Sequence, residues 1–266
     1  MNFLLKIVFL FNVLQNDGNC LHELLKDQNA TEDAPHFRIF YGKEAEAKQF
    51  PYQVSMKIQS RSTYYTFCGG TIIAPSKVLS AAHCFYNNKK SPCGCTSISV
   101  DSFTSTPYIY NEYVNQIPYA TEHKTYTGLK CTASGYGQTE RKRPSEVLLY
   151  ADLEVITTAT CNRLHNANMR RFVCTSGAMT DVGKGDSGGP LVCKNTGHYN
   201  EGDKGILVGV TSGKRESRRP RKGTQSNNAF FTRVSYYDKF IKNNKAVIIV
   251  PDCTLWILSA LSFIVS

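Results

Sequence analysis

Between residues 52 and 234 the chain is cut into short segments, in which runs of Val, Ile, Thr and aromatic residues alternate with Gly, Pro, Asn and Ser. The runs are Tyr52–Ile58, Gly70–Ile73, Val78–Ser80, Ser97–Val100, Glu146–Ile156, Pro190–Cys193, Ile206–Thr211 and Ala229–Val234. Branched and aromatic side chains fit the pleated surface of a strand, and turn residues at such close spacing leave no room for long helices. The pattern predicts an all-β barrel or sandwich and argues against an α/β fold. One short amphipathic helix is predicted over Tyr236–Lys245, and neither an internal repeat nor a heptad is visible.

A length of 266 residues allows one large domain or two small barrels with a shared core, and 41% apolar residues suits a globular chain. Ten cysteines point to an oxidising compartment. The net charge of +10 invites a polyanionic partner. Part of that excess sits in the single run Lys214–Lys222, and no nucleic-acid motif accompanies it, so nucleic-acid binding is not expected. The six histidines show no metal-ligand spacing, so neither a metal nor a cofactor is expected.

The ends read as processing and anchoring segments. Residues 1–18 carry an apolar run with one Lys followed by polar residues, too short for a stable span and suited to a signal peptide. Residues 19–38 are polar and aperiodic, as in a short pro-segment, and contain the glycosylation acceptor Asn29-Ala30-Thr31. Residues 246–266 form a hydrophobic tail broken by Pro251 and Asp252. It fits a removable glycolipid-anchor signal with Asn243 or Asn244 as attachment sites, a short membrane span, or an extension packed on the barrel.

Two motifs carry chemistry. In Gly185-Asp186-Ser187-Gly188-Gly189-Pro190 the glycines allow a tight turn that bares a serine hydroxyl and aims backbone N–H groups at a bound carbonyl oxygen. Serine alone is a weak nucleophile and needs a base, which Ser80-Ala81-Ala82-His83-Cys84 supplies. Together, in this order, the two resemble the motifs of the chymotrypsin/trypsin-like serine protease family, over roughly residues 39–245.

That resemblance implies two packed antiparallel β-barrels with the active site between them. It implies His83 as general base, Ser187 as nucleophile, and Gly185 and Ser187 as donors of the oxyanion-hole N–H groups. The segment Arg38-Ile39-Phe40-Tyr41-Gly42 resembles the family's activation site. Cleavage after Arg38 would free the Ile39 ammonium to pair with Asp186, although Phe40 and Tyr41 are bulkier than the family's residues there. The implied disulfides are Cys68–Cys84, Cys161–Cys174 and Cys131–Cys193, while Cys20, Cys93, Cys95 and Cys253 stay unassigned. Asp181, six residues before Ser187, stands where trypsin-like members bind Arg or Lys. Gly213 and Lys214 replace a pocket-wall Trp and a Gly, and Ala229 replaces another Gly. A Lys214 side chain reaching Asp181 would close the pocket.

The family's third catalytic residue, an Asp leading into an apolar strand, has no counterpart between His83 and Cys131. The acids there are Asp101, Glu112 and Glu122, none followed by such a strand. The interval is short by about a strand or two, so the first barrel is expected to lack them. Three readings stay open: a coding segment absent from the sequence, a catalytically inactive homologue, or Asp101 in the role. The resemblance therefore implies a secreted or cell-surface-anchored zymogen that cleaves protein or peptide substrates after Arg or Lys by acyl-enzyme chemistry. A trypsin-like protease would activate it, and its basic run would offer an exosite for sulfated glycans. The alternative is an inactive homologue that binds partners in a protease cascade.

Overall fold

The computed structural model describes residues 42–60, 63–85, 98–101, 107–138, 145–176, 182–215 and 228–243. The signal peptide, the pro-segment with Asn29, Arg38 and Ile39, and the C-terminal tail lie outside the described residues. So do Asp181, Cys20, Cys93, Cys95, Cys253 and the basic run beyond Arg215.

The described residues are mostly strand: β1 (Lys43–Glu44), β2 (Gln53–Ser60), β3 (Thr63–Ala74), β4 (Lys77–Ala81), β5 (Ile98–Asp101), β6 (Lys130–Gly135), β7 (Leu149–Val155), β8 (Phe172–Ser176), β9 (Pro190–Cys193), β10 (Ile206–Arg215) and β11 (Asn228–Arg233). Helix α1 (Thr158–His165) follows β7, and a 3-10 turn over Val234–Tyr237 leads into α2 (Asp238–Asn243). The predicted C-terminal helix is thus present, with its first turn wound tighter. Helix α1 was not expected from periodicity, but its ends are well marked. Thr157 Oγ1 accepts from Thr160 N at the start, and Asn166 adopts a left-handed conformation at the end.

Strands β7, β6, β9, β10, β11 and β8 pair antiparallel in that order, and β8 pairs back onto β7, closing a six-stranded barrel. Strand β1 takes the N-terminal end of the β7 edge, at Lys43↔Tyr150, and β8 takes the C-terminal end, at Val155↔Thr175. The alternation along β7 shows the barrel's inside and outside. Ala151, Leu153 and Val155 are buried, while Asp152 and Glu154 are exposed. The other sheet has the order β2–β3–β4–β5, and among the described residues no pairing joins its two edges. This is the chymotrypsin-like arrangement, with one closed barrel and, among the described residues, four strands in the first sheet.

The two sheets pack through an apolar layer to which both contribute. Tyr52, Ile73 and Leu79 from the first sheet meet Val192, Leu207 and Val210 from the barrel, with Val234 and Ile241 below. Ile117 is also in this layer, on a strandless segment that links the sheets by backbone bonds: Ile117 N donates to Ile72 O (3.0 Å), and Leu207 N donates to Pro118 O (2.9 Å).

Three disulfides reinforce this frame. Cys68–Cys84 ties β3 to the turn after β4, Cys161–Cys174 ties α1 to β8, and Cys131–Cys193 joins facing residues of β6 and β9. The last spans 62 residues of sequence and constrains the unfolded chain most, by about 4 kcal/mol in the chain-entropy account. Replacing Cys131 and Cys193 together by Ala is expected to lower unfolding free energy by about 2–5 kcal/mol in a urea titration.

Candidate active site

The Ser187 turn is built around a buried acid. Asp186 is 1% exposed, and its two carboxylate oxygens accept from Gly137 N and Gly183 N, each at 2.8 Å. Its backbone closes the turn on both sides, with Asp186 N donating to Gly183 O (3.1 Å) and Gly189 N to Asp186 O (2.9 Å). Gly135 and Gly137 leave the space this carboxylate occupies, since a Cβ at either would come within 2.1 Å or 2.5 Å of it. A buried carboxylate is tolerable only when hydrogen-bonded in this way.

The same turn is seated on the strand that carries His83. Gly188 has φ +82°, and a Cβ there would lie 2.2 Å from Ser80 Oγ and 2.4 Å from Gly69 O. Ser80 Oγ itself donates to Gly69 O at 2.8 Å, so the glycine sits against the bond that joins β3 to β4. Backbone bonds then lock the turn from both sheets: Gly69 N donates to Ser187 O (2.7 Å), and Gly188 N donates to Thr211 O (2.8 Å). Ser187 is thereby set between the first sheet and β10. Its own N–H and that of Gly185 (φ +91°) have no acceptor among the described residues. Two such N–H groups beside a serine hydroxyl are what a developing oxyanion requires.

His83 lies in a 3-10 turn, Ala82–Cys84, that follows β4 directly. Cys84 Sγ is bonded to Cys68 and lies 3.7 Å from Ser187 O, so the residue after His83 touches the backbone of Ser187. The imidazole is half-buried, and that burial lowers its pKa from the ordinary histidine value, with no carboxylate among the described residues acting on it. A ring nitrogen of His83 lies within 4.8 Å of both sulfurs of the Cys68–Cys84 disulfide, but bonded sulfurs offer a metal no thiolate. The same holds for Cys161, His165 and Cys174.

Asp101 does not stand near this turn. In the β4–β5 ladder Ala81 faces Ile98 and Val78 faces Asp101. The Asp101 backbone is therefore three steps, about 10 Å of strand, back from the end that leads into His83. An acid orienting His83 would have to come from elsewhere.

Of the expected pocket residues, Lys214 and Ala229 face one another across the β10–β11 ladder, and Lys214 Nζ is buried. Gly213 pairs with Phe230, whose ring covers it so closely that a Cβ at Gly213 would meet the ring at 2.8 Å. Phe230 packs edge-on against Phe172 and His165, with centroids 5.4 Å and 5.2 Å away. Sequence reasoning missed this aromatic wall. Its signal was the Phe230-Phe231 pair in register with a glycine. Where the strand pairing of β10 with β9 stops at Val210, the edge of Ser212–Arg215 runs on beyond the Ser187 turn.

Because the Asp186 cradle has no spare volume, Gly137→Ala is expected to destabilise the protein by about 1–3 kcal/mol. The control Gly202→Ala, where a Cβ meets Pro118 at an ordinary 3.6 Å, should stay within about 0.5 kcal/mol of the parent. Thermal melts of the two variants make the comparison.

A family model described as Trypsin matches residues 39–103 and 103–241. Transmembrane protease serine 9 of Rattus norvegicus is 28% identical over 199 residues, which is 60% of this chain and 18% of that protein. The chain thus spans under a fifth of that relative's length. The solved structure of neuropsin, a serine protease of mouse brain, superimposes with a TM-score of 0.62 at 23% identity, covering 76% of this chain and 97% of that one. It has the same fold. With the family match running across most of its length, the chain belongs to the trypsin family of chymotrypsin-like serine proteases.

Proposed function

We propose that this chain is the zymogen of a secreted serine endopeptidase that cleaves after Arg or Lys, with Ser187 as nucleophile and His83 as general base. The observation that carries the reading is the seat of the Ser187 turn on β4, through Gly188 against Ser80 and Gly69, one residue step from the His83 turn.

In the proposed mechanism an extended peptide lies along the Ser212–Arg215 edge of β10 and presents its carbonyl to Ser187. His83 Nε2 takes the hydroxyl proton as Ser187 Oγ attacks. The oxyanion is held by the N–H groups of Gly185 and Ser187. The His83 proton then passes to the leaving amine, and water repeats the sequence on the acyl-enzyme. Asp181 would bind the cationic side chain of the substrate. Asp186 would receive the Ile39 ammonium after cleavage at Arg38 by a trypsin-like activator, tightening the Gly183–Ser187 turn around the bond it already makes to Gly183 N. Without a carboxylate behind His83, the imidazolium is stabilised by nothing but its surroundings, and loss of that acid costs about 10⁴ in turnover in a protease of this kind.

Two observations favour a second reading, an inactive homologue that binds partners in a protease cascade. No acid among the described residues acts on His83, and the Nζ of Lys214, opposite Ala229, is buried. The readings separate on one assay. Protein cut after Arg38 should hydrolyse an arginine ester slowly, about 10⁴ below a complete triad, and Ser187→Ala and His83→Ala should each abolish it. Ester turnover that Ser187→Ala does not change would leave the binding homologue standing.

A further inference from the structure

At the outer end of the β8–β11 ladder, two cations oppose each other where a sheet ordinarily avoids it. Thr232 faces Phe172 across β11 and β8, so the next pair outward is Arg233 opposite Arg171, joined by Arg233 N donating to Arg171 O at 2.9 Å. Like charges directly opposite in a ladder are destabilising, and among the described residues no carboxylate pairs with either guanidinium. Arg233 is held by backbone carbonyls, Nη1 to Lys124 O (2.8 Å) and Nη2 to Phe172 O (3.2 Å), with its guanidinium 5.6 Å from the centre of the Tyr126 ring. It is a cation locked in place, with no counter-ion among the described residues. Arg171 is exposed and lies close to Tyr237, whose hydroxyl is pushed up by burial and pulled down by that charge.

Further positive charge stands around this pair. Arg170 and Lys239 are exposed, and across residues 122–124, 170–171 and 233–242 six Lys or Arg stand against two acids. Those acids pair within the same set, Glu122 with Lys124 (3.5 Å) and Asp238 with Lys242 (2.8 Å), which leaves Arg170, Arg171, Arg233 and Lys239 with no acid among the described residues. A place where a local rule is broken without compensation in the fold itself is where function is expected.

We infer that this face, centred on Arg171 and Arg233, docks a sulfated glycan chain. Guanidinium groups match the oxygens of sulfate in a bidentate fork. The three disulfides place the protein in an oxidising, extracellular setting, where the abundant linear polyanions are sulfated glycans. The face is distinct from the basic run Lys214–Lys222 and independent of whether Ser187 turns over substrate.

Heparin is the probe. Full-length protein is titrated with it at several salt concentrations, and log affinity is plotted against log salt. Arg170→Gln/Arg171→Gln should reduce the slope by about two, and Lys239→Gln by about one, as expected for loss of that many cation contacts. Arg218→Gln/Arg219→Gln, in the basic run, should leave the slope near that of the parent. Thermal midpoints verify folding, and Lys239→Gln alone carries the test if the double variant melts early. Unchanged slopes in the 170/171 and 239 variants, or loss of all heparin binding in the 218/219 variant, would overturn the assignment.

Discussion

The Asp186 carboxylate, buried and hydrogen-bonded to Gly137 and Gly183, is the interaction around which the rest of the site is arranged. A charge in such a place must keep its donors, so the segment from Gly183 to Gly189 has one way to run. That path turns Gly188 into a left-handed conformation against Ser80 and Gly69, and it spends the Ser187 carbonyl on Gly69 N. Among the described residues the N–H groups of Gly185 and Ser187 are left without acceptors, as is that of Lys184. The surroundings of Ser187 thus follow from the Asp186 carboxylate.

The two halves of the site rest on unequal supports. Ser187 and β10 belong to the half built on a closed six-stranded barrel, whose interior is filled by side chains such as Leu153, Leu191, Val208 and Phe231. His83 belongs to a four-stranded sheet with open edges among the described residues, and it is tied down by the Cys68–Cys84 disulfide and by the shared apolar layer. The first sheet thus holds the residue after His83 against the Ser187 backbone through Cys84. The disulfide and the Gly69–Ser187 bond do the positioning that barrel closure would otherwise share.

Much of the site was legible in the sequence, because it resides in short contiguous motifs whose chemistry is local. The glycines flanking Ser187 imply a turn, and the small residues before His83 imply a close approach, which the Ala81 and Gly188 contact displays. The runs at Pro190–Cys193 and Ile206–Thr211 became strands as expected. Strand β6, with the sequence Lys-Cys-Thr-Ala-Ser-Gly, was missed because small residues carry little periodic signal, and it is a strand because β7 and β9 flank it and Cys131 faces Cys193. Strand β8 was missed, and α1 was missed because its apolar stripe is weak while its caps are strong. The covering of Gly213 by Phe230 is a cross-strand event, which no single segment reveals.

A buried His83 imidazole with no acid acting on it among the described residues has a direct spectroscopic signature. The His83 ring resonance, assigned by difference against His83→Gln, is followed through a pH titration of the folded protein. Burial without a carboxylate favours the neutral ring, so His83 should titrate below the ordinary histidine value of about 6.5. The unfolded chain then binds the extra proton first. The stability from keeping His83 neutral is full above about 6.5 and is lost as pH falls from there toward the lowered value. A midpoint raised above the ordinary value would mean that a carboxylate faces the ring. The site would then hold a complete triad rather than a bare serine–histidine pair.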